Sequence, residues 1–294
     1  MAVEAKAITP LSDVDQDGPA MRAQIVRINP PGRWGVGGFR EIWEYRELLY
    51  FLGKREIQIR YKQSILGIAW AVFQPLALAL IFTVIFGRLA QIPSNGVPYV
   101  VFVLTALVLW TFTAQAVTAC AGSLVADANL LSKVFFPRVL IPAAKTSALL
   151  MDAAIGTLLV FVFMAFYGFG PQLTLVIAPL FALLALITAL GIGLFVAALN
   201  VKYRDVSVIT PLFVQLWFFI TPVVYPATLI PPRFDFVYAL NPMAAAVQGF
   251  RWALLGTPPP GLGAIVTGSI TAVLLLVGGY VYFRKTERFF ADIV

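Results

Sequence analysis

The side chains best suited to binding an anionic group are basic ones within a single stretch of the chain. Residues 55–75 read REIQIRYKQSILGIAWAVFQP, and Arg55, Arg60 and Lys62 precede a short joint at residues 64–67. No charge then occurs from residue 65 to residue 86, which is about the length of ~20 residues that crosses bilayer hydrocarbon. A basic segment at the membrane surface, followed by a turn and a span, would place these cations where they attract a phosphate headgroup.

Specific roles are expected for two residues of this stretch, Arg60 and Gly67. Arginine can bind phosphate oxygens at two points, so Arg60 should matter more than Lys62. Gly67 should keep the turn open, because a glycine lets neighbouring groups come close together. The alternative is that these charges only anchor the helix and fix its orientation.

Asp152 is the one acidic residue inside an apolar run. Ionisable groups within a membrane are costly, which makes Asp152 a candidate functional residue. A hydrogen-bonded structural role between helices explains it equally well, and both interpretations stay open. Lys145 lies on the same helix face but about 10 Å away along the axis, too far for a direct pair.

Several kinds of chemistry lack the residues they need. The chain has no histidine and only one cysteine, Cys120, so the commonest general base is missing and no intrachain disulfide can form. The sequence contains no G-x-x-x-x-G-K-[S/T] loop for ATP phosphates, no Ser/His/Asp or Cys/His set, and no carboxylates with metal-ligand spacing. We therefore predict no catalytic residue, no cofactor site and no metal site on this chain.

The composition is that of a polytopic membrane protein. Of the 294 residues, 60% are hydrophobic and 12% are charged, with a net charge of +7. A soluble domain would carry about 25% charged residues. Because the basic residues collect at the ends of apolar runs, they indicate membrane orientation and headgroup attraction rather than nucleic-acid binding.

We expect an all-α membrane protein with three regions. Residues 1–38 are predicted to be a disordered cytoplasmic tail, residues 39–63 an amphipathic interface helix, and residues 64–294 a domain of six spans. The spans are predicted at residues 65–86, 97–121, 139–166, 173–201, 206–225 and 262–283.

The helix predicted at 39–63 has an apolar face. Tyr45, Leu49 and Leu52 recur at three- and four-residue steps, and charged residues fall on the other face. We interpret it as a helix in the membrane surface, because a span follows closely. A solvated helix packed on its own protein is the alternative.

Basic residues divide unequally between alternate loops. Fourteen lie in one set of loops and three, Arg88, Arg233 and Arg251, in the other. The rich set consists of residues 40–64, 127–145, 202–204 and 284–288. The positive-inside rule then predicts that both termini are cytoplasmic, in agreement with an even number of spans.

The proline-rich segment 226–260 does not fit a simple loop. Asn241-Pro242 is typical of an N-cap followed by proline at the first helical position, and it should open a short helix to about residue 255. We predict a re-entrant helical hairpin on the outer side, since irregular backbone at membrane depth must be buried in protein. A surface loop with one helix is the alternative. Arg251 on this helix could face either headgroups or a channel.

Aromatic residues run through several spans, among them Trp70, Phe73, Trp110, Trp217 and Phe218. Aromatic faces in a water-filled passage suit sugars, whose C–H faces stack on rings while their hydroxyls stay hydrated. Belts at the two membrane surfaces are the alternative explanation for the Trp and Tyr residues near span ends.

Six blocks of sequence together resemble the permease subunits of type-2 ABC polysaccharide exporters, which serve O-antigen, capsule and teichoic-acid export. The blocks are Arg60-Tyr61-Lys62-Gln63-Ser64-x-Leu66-Gly67-x-x-Trp70 with Gln74-Pro75, Asn129-Leu130-Leu131-x-Lys133-x-Phe135-Phe136-Pro137 with Pro142, Asn200-Val201-Lys202-Tyr203-Arg204-Asp205, Thr221-Pro222-Val223-x-Tyr225, Asn241-Pro242 with Arg251, and Glu287-x-Phe289-Phe290-Ala291-Asp292. They occur in the family's order within residues 40–294, and the tail 1–38 is outside the resemblance.

The resemblance implies a homodimer of six-span subunits in the bacterial inner membrane. Two copies of a separate ATPase subunit would bind the ATP and Mg, so this chain would be a transporter subunit and not an enzyme. The substrate would be a polysaccharide on a polyprenyl diphosphate or another lipid anchor.

The resemblance also assigns three groups of residues. The substrate entrance would be Arg55, Arg60, Lys62, Ser64, Leu66 and Gly67. The surface that couples to the ATPase would be Asn129, Lys133, Phe135, Phe136 and Pro137, together with Arg204 and Asp205, and we expect Phe135 and Phe136 to be its exposed apolar anchors. The outer gate would be Tyr225, Asn241, Pro242 and Arg251.

Other functions remain as alternatives. An ABC-type drug or small-lipid exporter would have the same architecture. An ion-coupled secondary transporter should show inverted repeats with paired broken helices, and the sequence has no such symmetry. A membrane enzyme such as a glycosyltransferase would need a carboxylate or metal motif.

Overall fold

The computed structural model describes residues 43–62, 67–128, 130, 136–170, 172–287 and 290. All regular elements in this part of the chain are helical, which confirms the predicted all-α class. The predicted tail at 1–38 lies outside the described residues.

Nine α-helices lie in the described residues. They are α1 (Arg46–Lys62), α2 (Gly67–Phe82), α3 (Tyr99–Ala126), α4 (Leu140–Phe166), α5 (Ala178–Lys202), α6 (Val206–Ile220), α7 (Asp235–Leu240), α8 (Pro242–Leu255) and α9 (Leu262–Thr286). A π-helix continues α2 over Thr83–Leu89, and 3-10 turns occur at Leu173–Ile177, Ala227–Leu229 and Pro232–Phe234.

Five helical segments in this part of the chain are long and apolar enough to cross a membrane. They are Ala69–Leu89, Tyr99–Ala126, Leu140–Phe166, Leu173–Lys202 and Leu262–Thr286. Each of them coincides with one of the predicted spans.

The predicted span at 206–225 is shorter than expected. Its helix, α6, has 15 residues, or about 22 Å at 1.5 Å per residue, against a hydrocarbon thickness of about 30 Å. Thr221 adopts an extended backbone with φ −91° and ψ 135°, because a proline disfavours helical geometry in the residue before it. Pro222 therefore ends the helix early.

Helix α3 is the centre of the molecule. Most of its side chains are buried, and it packs against α2, α4, α5, α6 and α8. By contrast, only a minority of the side chains on α2, α4 and α9 are buried, and many of their apolar side chains are exposed, as expected for surfaces that face lipid.

Helix α1 packs on α4. Gly53 permits the close approach, since a Cβ atom at that position would lie 2.6 Å from Oγ of Ser147. Tyr45, Leu49 and Leu52 pack against a core cluster that contains Leu140 and Phe283. The apolar face identified in the sequence therefore packs on the protein itself, which was the alternative interpretation. A separate set of large apolar side chains on and next to α1 stays exposed, namely Trp43, Tyr50, Phe51 and Ile59.

The short helix predicted after Asn241 is confirmed at both ends. The Asn241 side chain accepts a hydrogen bond of 3.1 Å from the Met243 amide, and Gly256 ends α8 with a positive φ of 66°. Almost all of α8 is buried, and it packs against α3, α5 and α9. It is therefore not part of a surface loop.

Candidate functional site

Four charged side chains connect α1 to α3 and α4, and we call them the α1 ion-pair cluster. Arg55 of α1 lies 3.0 Å from Asp127, which directly follows α3. Lys145 of α4 lies 2.9 Å from Glu56 and 3.2 Å from Asp127. Two cations and two carboxylates thus balance each other where the three helices meet.

A second polar group lies at the end of α1. Arg60 forms an ion pair of 2.5 Å with Asp152 on α4 and donates a hydrogen bond of 2.8 Å to Oε1 of Gln115 on α3. The Tyr61 hydroxyl donates to the other oxygen of Asp152. Burial, and then this hydrogen bond, raise the pKa of Tyr61 to about 12, so the phenol stays protonated at physiological pH.

These contacts alter the expectation that Arg55, Arg60 and Lys62 are free cations. Arg55 and Arg60 each have a carboxylate partner, so neither is an unpaired cation. Lys62 is exposed, and within the described residues it takes part in no ion pair. Ser64 and Leu66 lie outside the described residues, and Gly67 begins α2. Asp152, which the sequence left open, is the partner of Arg60 and Tyr61.

A cavity of about 300 Å³ adjoins Arg60, and we call it the Arg60 pocket. It lies between the end of α1 and helices α2, α3 and α4. Its polar lining consists of Arg60, Tyr61, Gln74, Thr111, Gln115 and Asp152, and the rings of Trp70 and Phe112 also contribute.

A larger cavity of about 620 Å³, which we call the groove, adjoins the pocket. The two share Arg60, Gln74, Thr111, Gln115 and Leu149. The groove extends to α6, where it is lined by Pro211, Val214, Gln215 and Phe218, and Trp110 forms part of its wall. Together they form a continuous surface on one side of the bundle, in which polar side chains lie among aliphatic and aromatic ones.

Sequence reasoning named Gln74 only as part of a family block and did not identify Gln115 or Gln215 as candidate site residues. Gln74, Gln115 and Gln215 each lie in the middle of an apolar run, and only Gln115 has a side-chain hydrogen bond among the described residues. Uncharged amides within spans are a signal that was visible in the sequence, because a buried polar group needs a partner.

The expected coupling surface differs from the structure at two positions. Phe136 and Pro137 are buried, so the expectation that Phe136 is an exposed anchor is wrong. Phe136 belongs to the core cluster with Leu140, Phe283 and Phe290, because the turn before α4 packs against the end of α9. Arg138 reinforces this contact by donating a hydrogen bond of 2.8 Å to the carbonyl of Glu287.

The other predicted coupling residues divide into two groups. Arg204 and Asp205 are exposed in the turn between α5 and α6, as a docking surface requires. Asn129, Lys133 and Phe135 lie outside the described residues. Their role in coupling stays a prediction.

Arg251 is buried and faces neither headgroups nor an open channel, in contrast to both positions expected from the sequence. Only 2% of the residue is exposed. Its guanidinium donates to the carbonyl oxygens of Phe102 at 3.0 Å, Pro222 at 2.7 Å and Val223. It also lies 3.6 Å from the ring centroid of Phe102. Arg251 therefore connects α8 to α3 and to the backbone that follows α6.

The other residues predicted for the outer gate lie around the same region, the end of α6 and the backbone that follows it. The Asn241 side chain accepts from Nε1 of Trp217 at 3.1 Å and donates to Oγ1 of Thr221 at 3.0 Å, and Pro242 follows it at the start of α8. The Tyr225 hydroxyl donates to the Phe219 carbonyl at 2.9 Å and lies 2.7 Å from the Tyr238 hydroxyl. These bonds fix the end of α6 against α7 and α8.

Comparison with known proteins gives consistent matches. The profile of the ABC-2 type transporter family matches residues 47–255. The O-antigen export system permease protein RfbA of Klebsiella pneumoniae is 32% identical over 254 residues, which cover 84% of this chain and 95% of that protein. The protein of the same name from Myxococcus xanthus is 28% identical over 86% of this chain and 97% of its own length. The polysialic acid transport protein KpsM of Escherichia coli is 25% identical over 79% of this chain and 91% of its own length.

Proposed function

The chain belongs to the ABC-2 type transporter family, and from that premise we propose that it is the membrane permease subunit of an ATP-driven polysaccharide exporter. The proposed cargo is a lipid-linked polysaccharide of the O-antigen type, moved from the cytoplasm across the bacterial inner membrane. The observation that carries the proposal is the 32% identity to an O-antigen export permease over 95% of that protein's length. Arg60, Gln74, Gln115 and Gln215 supply polar groups along the groove, which is consistent with a carbohydrate passing along the bundle.

We propose that two copies of this chain assemble with two copies of a separate ATPase subunit. Thr118, Pro211 and Gln215 line the groove and are exposed in the single subunit. A second copy that faces this side would turn the groove into an enclosed channel. The exposed Arg204 and Asp205 would lie on the side that meets the ATPase.

Six spans, with α6 as the shortest, and cytoplasmic termini complete the proposal. The buried helix α8 would be the second helix of a re-entrant hairpin on the outer side of the membrane. The exposed aromatic residues Trp43, Tyr50 and Phe51 support a position of α1 at the membrane surface, with its opposite face on α4.

Deleting the gene in its source strain tests the function. We expect the surface polysaccharide to disappear and the lipid-linked polymer to accumulate inside the cell, because the polymer has no other route across the membrane. Immunoblotting of intact cells and mass spectrometry of extracted lipids measure the two effects, and the intact gene should reverse both. Normal surface polysaccharide together with a changed sensitivity to drugs would instead identify a drug exporter.

Cysteine labelling tests the orientation. In a Cys120→Ala background, we expect Gly170→Cys to react with a membrane-impermeant maleimide in intact cells, and Tyr203→Cys to react only after permeabilisation. Both positions are exposed, and neither substitution changes the charge bias on which the orientation depends. Labelling of Tyr203→Cys in intact cells would contradict the proposed orientation.

A further inference from the structure

We infer that the Arg60 pocket binds a neutral sugar unit of the exported polymer and excludes the diphosphate of the lipid anchor. The inference rests on the proposed function, because it assumes a carbohydrate cargo. It assigns the pocket to one part of that cargo, and four observations lead to it.

The first observation is the charge of the pocket. Arg60 and Asp152 are the only charged side chains among the described residues that line it, and they form an ion pair. Tyr61, which holds the other oxygen of Asp152, stays protonated. A diphosphate carries about two negative charges at this pH and would lie beside the Asp152 carboxylate, which repels it. The pocket therefore disfavours an anion although it contains an arginine.

The second observation is the supply of unused hydrogen-bonding groups. Gln74 makes no side-chain hydrogen bond within the described residues. The carbonyl of the Gln115 side chain accepts from Arg60, so its NH2 group remains available to donate. The Thr111 hydroxyl donates to the Leu107 carbonyl at 2.6 Å and keeps its lone pairs for an acceptor role. The pocket thus offers both donors and acceptors, as the hydroxyls of a sugar require.

The depth of these groups strengthens the argument. Gln74 lies five positions after the start of the span Ala69–Leu89, about 8 Å along the helix axis. A polar group at such depth needs a partner, because lipid provides none. Water or a hydroxyl-rich ligand in the pocket would supply such a partner.

The third observation is the set of aromatic rings. Trp70 lines the pocket and is half exposed, so its ring is accessible to a ligand. Trp110 lies in the wall of the adjoining groove and is held by edge-on contacts with Trp217 and Phe218, with ring centroids 5.3 and 5.5 Å away. Trp110 is buried, so Trp70 is the ring whose flat face is accessible to the C–H face of a sugar.

The fourth observation is size. A volume of about 300 Å³ is at the lower end of the range for small-molecule sites. The adjoining groove of about 620 Å³ can hold the next units of a chain. A polymer with one unit in the pocket would continue toward α6.

Binding measurements on the full-length permease in lipid nanodiscs test this assignment. One probe is the lipid-free oligosaccharide released by mild acid from the strain's own polymer, and the other is farnesyl diphosphate. We expect Gln74→Leu and Gln115→Leu each to weaken oligosaccharide binding about tenfold, the effect of one lost hydrogen bond, and to leave farnesyl diphosphate binding unchanged. Gln58→Leu, at an exposed amide on α1 outside the pocket, is the matched control and should change neither.

Asp152→Asn provides the opposite test. It removes the carboxylate and leaves Arg60 as a free cation, so farnesyl diphosphate should bind at least tenfold more tightly than to the wild type, and the oligosaccharide more weakly. Glu287→Gln removes a carboxylate from the ion pair with Arg284, outside the pocket, and should have no such effect.

Three results would overturn the assignment. The first is that both glutamine variants bind the oligosaccharide as tightly as the wild type does. The second is that the wild type binds no oligosaccharide. The third is that the two probes compete for the wild type and that the glutamine variants lose farnesyl diphosphate binding. The deletion experiment separates this from a failure of the proposed function. If the deletion abolishes surface polysaccharide and the glutamine variants bind normally, only the pocket assignment is wrong.

Discussion

Replacing Arg251 with methionine is expected to destabilise the permease by at least about 2 kcal/mol, because two buried carbonyl oxygens would lose their donor. These belong to Pro222 and Val223, whereas the Phe102 carbonyl lies inside α3 and keeps its intrahelical donor. Each unsatisfied buried acceptor costs about 1–3 kcal/mol. We expect the melting temperature of the purified protein to fall and export to be lost.

The position of these carbonyls explains why a single side chain has such a large effect. Pro222 and Val223 follow the end of α6, in irregular backbone whose buried carbonyls have no helical partner. A cation at a helix C-terminus also stabilises the helix dipole. Arg251 supplies both the hydrogen bonds and the charge from α8, so its loss should loosen α6, which lines the groove.

Arg251→Lys should recover only part of the stability. Lysine keeps the charge, but its compact ammonium group lacks the planar guanidinium that reaches three carbonyls on two sides. The matched control is Arg233→Met, because Arg233 is in the same segment between α6 and α9 and is exposed. Equal melting temperatures for Arg251→Met and Arg233→Met would show that the carbonyl contacts contribute little.

The sequence predicted the positions of most helices because their signals are local. Apolar runs of sufficient length located α3, α4 and α9, and the Asn241-Pro242 pair located the start of α8. The early end of α6 was also visible in the Thr221-Pro222 pair. We placed the end of that span by hydrophobicity alone and therefore extended it too far.

The ionic contacts could not be predicted, because they join residues that are far apart in the sequence. Arg60 and Asp152 looked like two separate unusual residues, a membrane-surface cation and an intramembrane acid. The structure explains both by a single pair of 2.5 Å. No local pattern indicates that α1 folds back onto α4, and only that packing brings the two side chains together.

The burial of Phe136 has the same cause. In the sequence, Phe136 belongs to an aromatic pair before Pro137, and an exposed docking loop could have the same pattern. Its burial depends on Phe283 and Phe290, which are close to the other end of the chain. Tertiary packing, and not the local sequence of the turn, decides which of its aromatic side chains is buried.

Reversing the charge of Lys145 is expected to detach α1 from α4. Lys145→Glu would place a third carboxylate beside Glu56 and Asp127, which now lie 2.9 and 3.2 Å from the ammonium group. Because Asp127 is buried while Lys145 and Glu56 are partly buried, we expect a loss of about 2–4 kcal/mol, between the values for exposed and buried ion pairs. Export should fall sharply, and limited proteolysis should cut α1 more rapidly than in the wild type.

A second reversal should restore the contact. In the double variant Lys145→Glu with Glu56→Lys, the pair is re-formed with opposite signs, while Arg55 still balances Asp127. We therefore expect at least half of the lost stability and export to return, and a double-mutant cycle measures the coupling directly. Lys54→Glu is the matched control, since Lys54 is an exposed cation on α1 that takes part in no ion pair within the described residues, and this variant should behave like the wild type. If Lys54→Glu impairs export as much as Lys145→Glu does, or if the double variant is no better than the single one, the charge of α1 as a whole and not this ion pair holds the helix in place.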